Sequence, residues 1–468
     1  MRHHTTPTSA SAPAPASASR IPSRRGFLKT AAAAIGAPFI LPSGSFSKPL
    51  NSTLQLAVIG ADGMGFSDMT NVGSHEKVKF VGFCDIDSNR FAKADKAFPG
   101  VAHFADYMEM YSKLGDGLDA VCVATPDHSH ARASIEAMKR GKHVYCQKPL
   151  AHTVWECRQM KLWAEKTGVI TQMGNQIHSD LAYRLGVRLL REGAIGKIKE
   201  VHSWVSVDGR ERTSFDDRPP KSLESAPPAN VNWDLWIGPA PMRPYVSDAY
   251  HPFVWRDWQD FGTGALGDFA CHILDPIFTA LELTAPTTIR AEHSGTNKEV
   301  WPGPERVYYT FPGTNFTAGK TIPVTWYDGK LQPPKELAQM PDNLSLPKAG
   351  SLIIGEGGNM ILPHVAGPRM YPQEKFQTFA YPKDVVGLNH RHVWVDAIFE
   401  GKKTSDGFHY AAPLSETVQL GNVAARFPGE TLEWDAAQMK ISRGAVDSAP
   451  AQAMLTREYR KGFEVTPV

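Results

Sequence analysis

The feature that most constrains this chain is a succession of short, continuous apolar runs separated by helical stretches, the first closed by a glycine-rich turn. The runs are 54–59, 79–84, 120–124, 143–146 and 169–173. Continuous rather than alternating apolar residues read as strands covered on both faces, and strands spaced by helices read as a parallel, doubly wound sheet. Gly60-Ala61-Asp62-Gly63-Met64-Gly65 follows the first run and opens a helix. It keeps the first and third glycines of G-x-G-x-x-G, with Asp62 at the middle one. Asp85 ends the second run twenty residues after Gly65. In such a unit that acid accepts from ribose hydroxyls while the helix N-terminus holds a pyrophosphate. Ile86 and Asp87 follow it, where a 2′-phosphate would need an Arg. The expected cofactor is therefore NAD rather than NADP, with Gly60, Asp62, Gly63, Met64, Gly65 and Asp85 around it.

Two further segments stand at strand ends, where doubly wound folds bind ligands. Thr125-Pro126-Asp127-His128-Ser129-His130 follows the third run and Cys146-Gln147-Lys148-Pro149 the fourth. Thr125, Pro126, His128, His130, Gln147 and Lys148 are thus expected to face the cofactor. A later stretch runs from Trp255-Arg256-Asp257-Trp258 through Gly262-Thr263-Gly264-Ala265-Leu266-Gly267-Asp268 to His272 and Asp275. Together these motifs resemble the glucose–fructose oxidoreductase/inositol dehydrogenase (Gfo/Idh/MocA) family, whose usual Glu-Lys-Pro appears here as Gln147-Lys148-Pro149. The resemblance runs from about Leu54 to the C-terminus, and Gln172–Gln176 and Trp233–Pro239 make it similar to an exported bacterial branch. It implies a Rossmann domain over 51–173 and a C-terminal substrate and oligomerisation domain over 174–468. It also implies a sugar or glycoside substrate and a homo-oligomer, a dimer or tetramer.

The chemistry follows from the residues as well. Asp268 and His272 are four apart on a helical stretch, so both project from one face. Oxidising a secondary alcohol needs a base for the hydroxyl proton while hydride leaves the same carbon, and an imidazole titrates near working pH. Asp268 would hold that ring or bind an adjacent hydroxyl, and Lys148 would stabilise a developing alkoxide. The family's Lys, Asp and His fall on Lys148, Asp268 and His272. Taken singly, Asp268 also reads as a helix cap and His272 as a packing histidine.

Beyond Gly174 the strand–helix alternation ends. Residues 180–192 read as an amphipathic helix and 197–208 as a half-exposed strand. Strands are expected at 306–311, 321–327 and 352–361, helices at 390–400 and 413–426, and long loops at 210–228 and 330–350. This describes an α+β domain with a mostly antiparallel open sheet. Asn175, Gln176 and His178 open it facing the crevice, as candidate partners for sugar hydroxyls. Trp255 and Arg256, with Tyr250, His251 and Trp258, form an aromatic group suited to stacking on pyranose faces. No His or Cys spacing matches a metal site, so none is expected.

Residues 1–50 read as an address. Ser23-Arg24-Arg25-Gly26-Phe27-Leu28-Lys29 precedes the mild apolar run 31–41, the pattern of a twin-arginine export signal. That run is too short to span a bilayer, which takes about 20 residues. The five cysteines are few and odd in number, which excludes a disulfide framework and fits folding in a reducing compartment before export to the periplasm. A net charge of +2 gives no field to recruit nucleic acid. The periplasm has no known supply of free NAD, so an exported dehydrogenase must keep its cofactor and reoxidise it in the site. Three readings stand, two of them enzymes that meet that demand and the third not an enzyme, suggested by Asp62 and Gln147. The favoured one is a dehydrogenase, for instance one making 3-keto-glycosides; the others are a redox-neutral glycoside hydrolase and a catalytically degenerate sugar-binding protein.

Overall fold

Six strands, β1 (Leu54–Ile59), β2 (Val78–Cys84), β3 (Ala102–Phe104), β4 (Ala120–Val123), β5 (His143–Gln147) and β6 (Thr171–Gly174), form one sheet. All pair in parallel, in the order β3-β2-β1-β4-β5-β6. The computed structural model describes residues 53–207, 213–444 and 446–468. The twin-arginine segment, Asp208 and residues 210–212 of the expected loop lie outside the described residues. The sheet is the doubly wound one expected; β3, three residues at its edge, carries no apolar run and was not legible. Every residue of β4, β5 and β6 is buried, because helices cover both faces. One cover is the helix Val154–Thr167, started by a reciprocal Thr153–Glu156 capping box and stopped by Gly168 in the left-handed region. Another comes from far downstream: Trp394, Val395 and Ile398 of the helix His390–Glu400 pack with Leu54, Leu56 and Val58 of β1.

The second sheet is larger. Its strands are β7 (Ile198–Val205), β10 (Thr288–His293), β11 (Glu305–Pro312), β12 (Thr321–Tyr327), β13 (Ala349–Gly355), β14 (Asn359–Pro363), β15 (Arg369–Tyr371), β16 (Thr431–Asp435) and β17 (Lys440–Ser442). A separate two-stranded ribbon pairs β8 (Glu224–Ser225) with β9 (Tyr245–Val246). The nine strands run β15-β14-β13-β7-β12-β11-β10-β16-β17, antiparallel except for β7 against β12. Three expectations change in detail. The run 352–361 is two strands folded back through Glu356–Gly358, so β13 pairs with β14. β7 lies inside the sheet between β12 and β13 and is buried on both faces over 201–205, not half exposed. The helix expected to open at Pro413 begins at Phe408, whose N–H donates to Thr171 Oγ1 on β6 at 3.0 Å. That anchor outweighs the interior proline.

The helices Gly264–Ile273 and Phe408–Ala425 pack against this sheet and against each other. All five cysteines are buried and free. Among the described residues no helix is long and apolar enough to cross a membrane, and no cluster of metal-ligating side chains occurs.

Candidate functional site

The strand order reverses between β1 and β4, and a crevice opens there. β1 ends in Gly60, at φ +92°, where a Cβ would stand 2.5 Å from the Ala124 carbonyl oxygen. A Cβ on Gly65 would meet the Gly60 carbonyl oxygen at 1.8 Å, so helix and strand approach as closely as they do only without side chains. Gly63, at φ +58°, opens the helix Met64–Val72 with free space where a Cβ would be. Asp62 leans away from this loop, onto Arg90 Nη1 at 3.0 Å and Lys93 Nζ at 2.7 Å. Burial opposes its ionisation, yet Lys93, the Gly63 N–H and Arg90 hold its carboxyl down at about 2. Its charge is thereby answered before any phosphate arrives. Asp85 accepts from the Ala61 N–H at 2.8 Å and the Asp87 N–H at 3.0 Å, while burial pushes its carboxyl up to about 6.

Gly60, Asp62, Gly63, Asp85, Arg90 and Lys93 line a cavity of about 500 Å³ that also takes in Met64, Thr125, Pro126, Gln147 and Lys148; Gly65, expected there, does not line it and instead packs helix on strand. Its far wall comes from the second half of the chain, with Trp255, Arg256 and Asp268. A bare backbone cradle, a helix N-terminus and an acid at the end of β2 fit a dinucleotide. Neither His128 nor His130 lines this cavity. His128 is buried between the Phe261 and Trp236 carbonyls, and burial brings its ring down to about 3. His130 lies between the Pro149 and Thr125 carbonyls. Both fasten the turn through these carbonyls.

The helix Gly264–Ile273 carries Asp268 and His272 one turn apart. It begins four residues before Asp268, so Asp268 is not its cap. Lys148 Nζ donates to the Asp268 carbonyl oxygen at 2.8 Å and to its carboxylate. Arg256 Nε sits 3.4 Å from the other Asp268 oxygen, and its Nη1 donates to Asp127 at 3.3 Å. The guanidinium covers the Trp255 ring at 4.3 Å. Of the remaining aromatic group, Tyr250 and Trp258 are core residues, whereas His251 lines the cavity.

His272 opens onto a second cavity, of about 440 Å³, with Gln176, Asp180, His364, His390 and Arg391. Asn175 is wholly buried and fixes the ring. Its Nδ2 donates to the Cys271 carbonyl at 2.9 Å, so its Oδ1 is the acceptor that faces His272 Nδ1. Nδ1 must then carry the proton, and Nε2 holds the lone pair. Burial, reinforced by Lys148 and His364, pushes the His272 imidazolium well below its ordinary pKa, so the ring is neutral. Asn175 is therefore a holder of His272 and not the hydroxyl partner expected. His178 lines neither cavity: it pairs with Asp275 at 2.9 Å and meets Ser405 Oγ at 2.9 Å.

Several residues of the site carried no signal in the sequence. His364 follows β14 in a loop without a motif; its Nδ1 meets the Tyr183 hydroxyl at 2.9 Å and its ring lies 5.8 Å from that of His272. Arg391 donates to buried Asp68 at 2.6 and 2.9 Å, and Gln147 Nε2 donates to the same carboxylate at 2.5 Å. Asp127 sat inside a segment already singled out, and its hold on Arg256 and on Thr263 Oγ1 at 2.5 Å was the part not read. Arg90 and Lys93 follow Asp87 on the next helical turns.

Two family models agree with this arrangement. The model described as an oxidoreductase family, NAD-binding Rossmann fold, matches residues 54–175. That described as an oxidoreductase family, C-terminal alpha/beta domain, matches residues 219–315. Residues 54–175 and 219–315 are thus the two domains of the Gfo/Idh/MocA family. A glycosyl hydrolase family 109 protein of Solibacter usitatus is 35% identical over 162 residues, covering 31% of this chain and 37% of the relative. Inositol 2-dehydrogenase 1 of Saccharopolyspora erythraea is 33% identical over 154 residues, covering 32% and 45%. The matches thus span less than half of either Gfo/Idh/MocA relative. The WlbA dehydrogenase of Chromobacterium violaceum, solved with NADH and UDP-GlcNAcA, superposes with a TM-score of 0.59 over 83% of this chain and 98% of that one, at 17% identity. At that identity the likeness shows the Gfo/Idh/MocA fold alone.

Proposed function

We propose that this chain is an NAD-dependent oxidoreductase moving hydride between a secondary hydroxyl of a sugar or glycoside, at C3, and a nicotinamide it keeps bound. The observation that carries the reading is the neutral His272 ring, held by Asn175 and lining the second cavity, one helical turn from Asp268, which lines the first cavity with Lys148. The bound nicotinamide supplies the hydride acceptor and donor. His272 Nε2 takes the hydroxyl proton. Lys148 spends two donors on Asp268 and keeps a third for the carbinol oxygen, where it favours the alkoxide. Asp268, between Lys148 and Arg256, keeps both cations in place. Gly60, Gly63 and the helix N-terminus would hold the pyrophosphate, with Gly65 letting that helix approach β1, and Asp85 would hold the ribose.

Retention of the cofactor has support in the chain path. Segment 230–256 crosses the outer end of the crevice. Ser88 N–H donates to Asn230 O at 2.9 Å and Asn232 N–H to Ile86 O at 2.8 Å. Asn230 Nδ2 and His251 Nε2 hold the Asp87 carboxylate at 2.6 and 3.0 Å. Such a strap slows escape from an enzyme that the Arg24–Arg25 pattern sends to the periplasm by the twin-arginine route. Assembly as a dimer or tetramer belongs to the same proposal. It is supported by the second face of β10 and β11, where Arg290, Glu292, Arg306 and Tyr308 stand half-buried on one chain.

A second reading, redox-neutral glycoside cleavage, is favoured by the relative named as a glycosyl hydrolase family 109 protein. One experiment separates them. Protein purified without added cofactor is denatured and its NAD(H) and NADP(H) counted per chain; intact protein is then given sugars and p-nitrophenyl glycosides. We expect near-stoichiometric NAD and its reduction in the site. His272→Ala should keep the NAD and lower turnover by about 10²- to 10⁴-fold. Release of p-nitrophenol with no net NADH establishes cleavage instead. Protein that holds no NAD and binds none when it is added, or His272→Ala with full activity, defeats the proposal.

A further inference from the structure

The second cavity is polar at its floor, and its lip is apolar at Val365 and Leu388, beside exposed Asn389 and half-buried Asp180. The floor holds His272, His364, Gln176 and His390, and Gln176 Oε1 is buried there with no hydrogen-bond partner among the described residues. A ligand hydroxyl would satisfy it. The lip holds Val365 and Leu388, which line the same cavity yet are 59% and 45% exposed. The apolar surface continues past Leu388. A Cβ on Gly387 would lie 3.5 Å from Leu181 Cβ, and Leu181 and Val386 are 49% and 57% exposed. Large apolar side chains scattered singly need no explanation, but a contiguous set at the mouth of a site marks a ligand or partner surface. Val365 also stands at φ +62°, an outlier for a β-branched residue and a strain of the kind kept at ligand sites.

We infer that this lip is an aglycone subsite, so that the substrate is a glycoside carrying an apolar aglycone rather than a free sugar. The inference rests on the sugar-oxidoreductase reading of the site. A free pyranose offers only small C–H patches between its hydroxyls; with those hydroxyls on the floor it would leave most of Val365 and Leu388 facing water. A glycoside with an apolar ring or chain at its anomeric oxygen matches both ends at once. At about 440 Å³ the cavity is in the range of sites, roughly 300–1,000 Å³, that enclose ligands larger than one ring.

The test uses the protein as purified, with its nicotinamide. For a panel of hexopyranoses, the free sugar, the methyl glycoside and the p-nitrophenyl glycoside are compared by calorimetric Kd and by reduction of the bound cofactor. For the sugar bound best, we expect the p-nitrophenyl glycoside to bind at least about tenfold tighter than the methyl glycoside, the scale set by a small apolar group in a matching pocket. Leu388→Ser should bring that ratio toward one. So should Val365→Asn, since Asn tolerates positive φ and keeps the loop folded. Equal affinities in the parent, ratios unmoved by both variants, or no binding of any glycoside overturn the subsite. A ratio unchanged in Leu388→Ser while sedimentation shows a smaller assembly also overturns it, and assigns the lip to a second copy of the chain. Tight, aglycone-dependent binding with no reduction and no loss of deuterium from any sugar carbon keeps the subsite and defeats the oxidoreductase reading.

Discussion

Gln147 stands where the family's usual motif has Glu, and its surroundings explain the exchange. Asp68 is wholly buried 2.5 Å from Gln147 Nε2, and burial raises its carboxyl even though Arg391 and Gln147 pull the other way. A carboxylate in place of this amide would be set against the first, with one guanidinium to share, and one of the two would have to take up a proton. Gln147→Glu is expected to cost about 3 kcal/mol, the scale of an uncompensated buried charge. Adding Asp68→Asn should restore most of it, because the introduced carboxylate then takes Arg391 and the new amide donates. Urea midpoints of the four proteins measure the coupling; simple additivity would show that the two positions do not share a charge. From the sequence Gln147 read only as a departure, since its compensating partners lie 79 and 244 residues away. Asn175 was hidden for a related reason: an amide at a strand end looks the same whether it meets ligand or holds a histidine.

The turn after β6 shows how one element is fastened to another by a titratable pair. His178 Nδ1 meets both Asp275 oxygens, at 2.9 and 3.0 Å, and the Tyr410 hydroxyl donates to the same carboxylate at 2.7 Å. Burial alone would lower the His178 ring, but the Asp275 charge and hydrogen bond outweigh it and raise the ring to about 9. The folded value lies above the unfolded one of about 6.5. Stability from this pair is therefore complete below about pH 6.5 and is lost as pH rises through about 9. His178→Gln should lower Tm most at pH 6 and hardly at all at pH 10; a difference that is flat across that range would show the ring to be neutral in the fold. Elements like this one separate what was legible from what was not. The helices 181–191 and 390–400 carry their own caps, Asp180 and Asn389, and could be read locally. The β13–β14 hairpin was hidden inside one apolar run, and the start of the helix Phe408–Ala425 is set by a hydroxyl on β6. Strand pairing and tertiary anchors decide such bounds, and neither leaves a local pattern.

At the scale of the molecule the chain order and the core disagree in an informative way. A division near residue 174 follows the change from alternating strands and helices to the larger sheet, and the parallel sheet does end at Gly174. Yet its outer surface is finished by residues far past that point. Trp394 lies 5.6 Å from the Tyr145 ring and, with Val395 and Ile398, covers β1 and β4. Arg457 reaches back to wholly buried Glu156 at 2.7 Å, where Tyr459 also donates at 2.9 Å, and the Val468 N–H donates to Gln159 at 3.0 Å. Without these, the 54–174 sheet would expose a broad apolar face, and Glu156 would lose the cation that answers its charge. Leaving such a charge uncompensated costs about 3–5 kcal/mol, on the order of half a domain's net stability of about 5–15 kcal/mol. Residues 47–175 expressed alone are therefore expected not to fold cooperatively and not to bind NAD, although they contain the whole glycine loop and Asp85. The full chain should melt in one transition that added NAD moves upward as a whole, because ligand binding to either part stabilises the shared core. Calorimetry of both proteins decides it: a sharp melt of the fragment, or two separate transitions in the full chain with the first alone shifted by NAD, would show the halves to be independent.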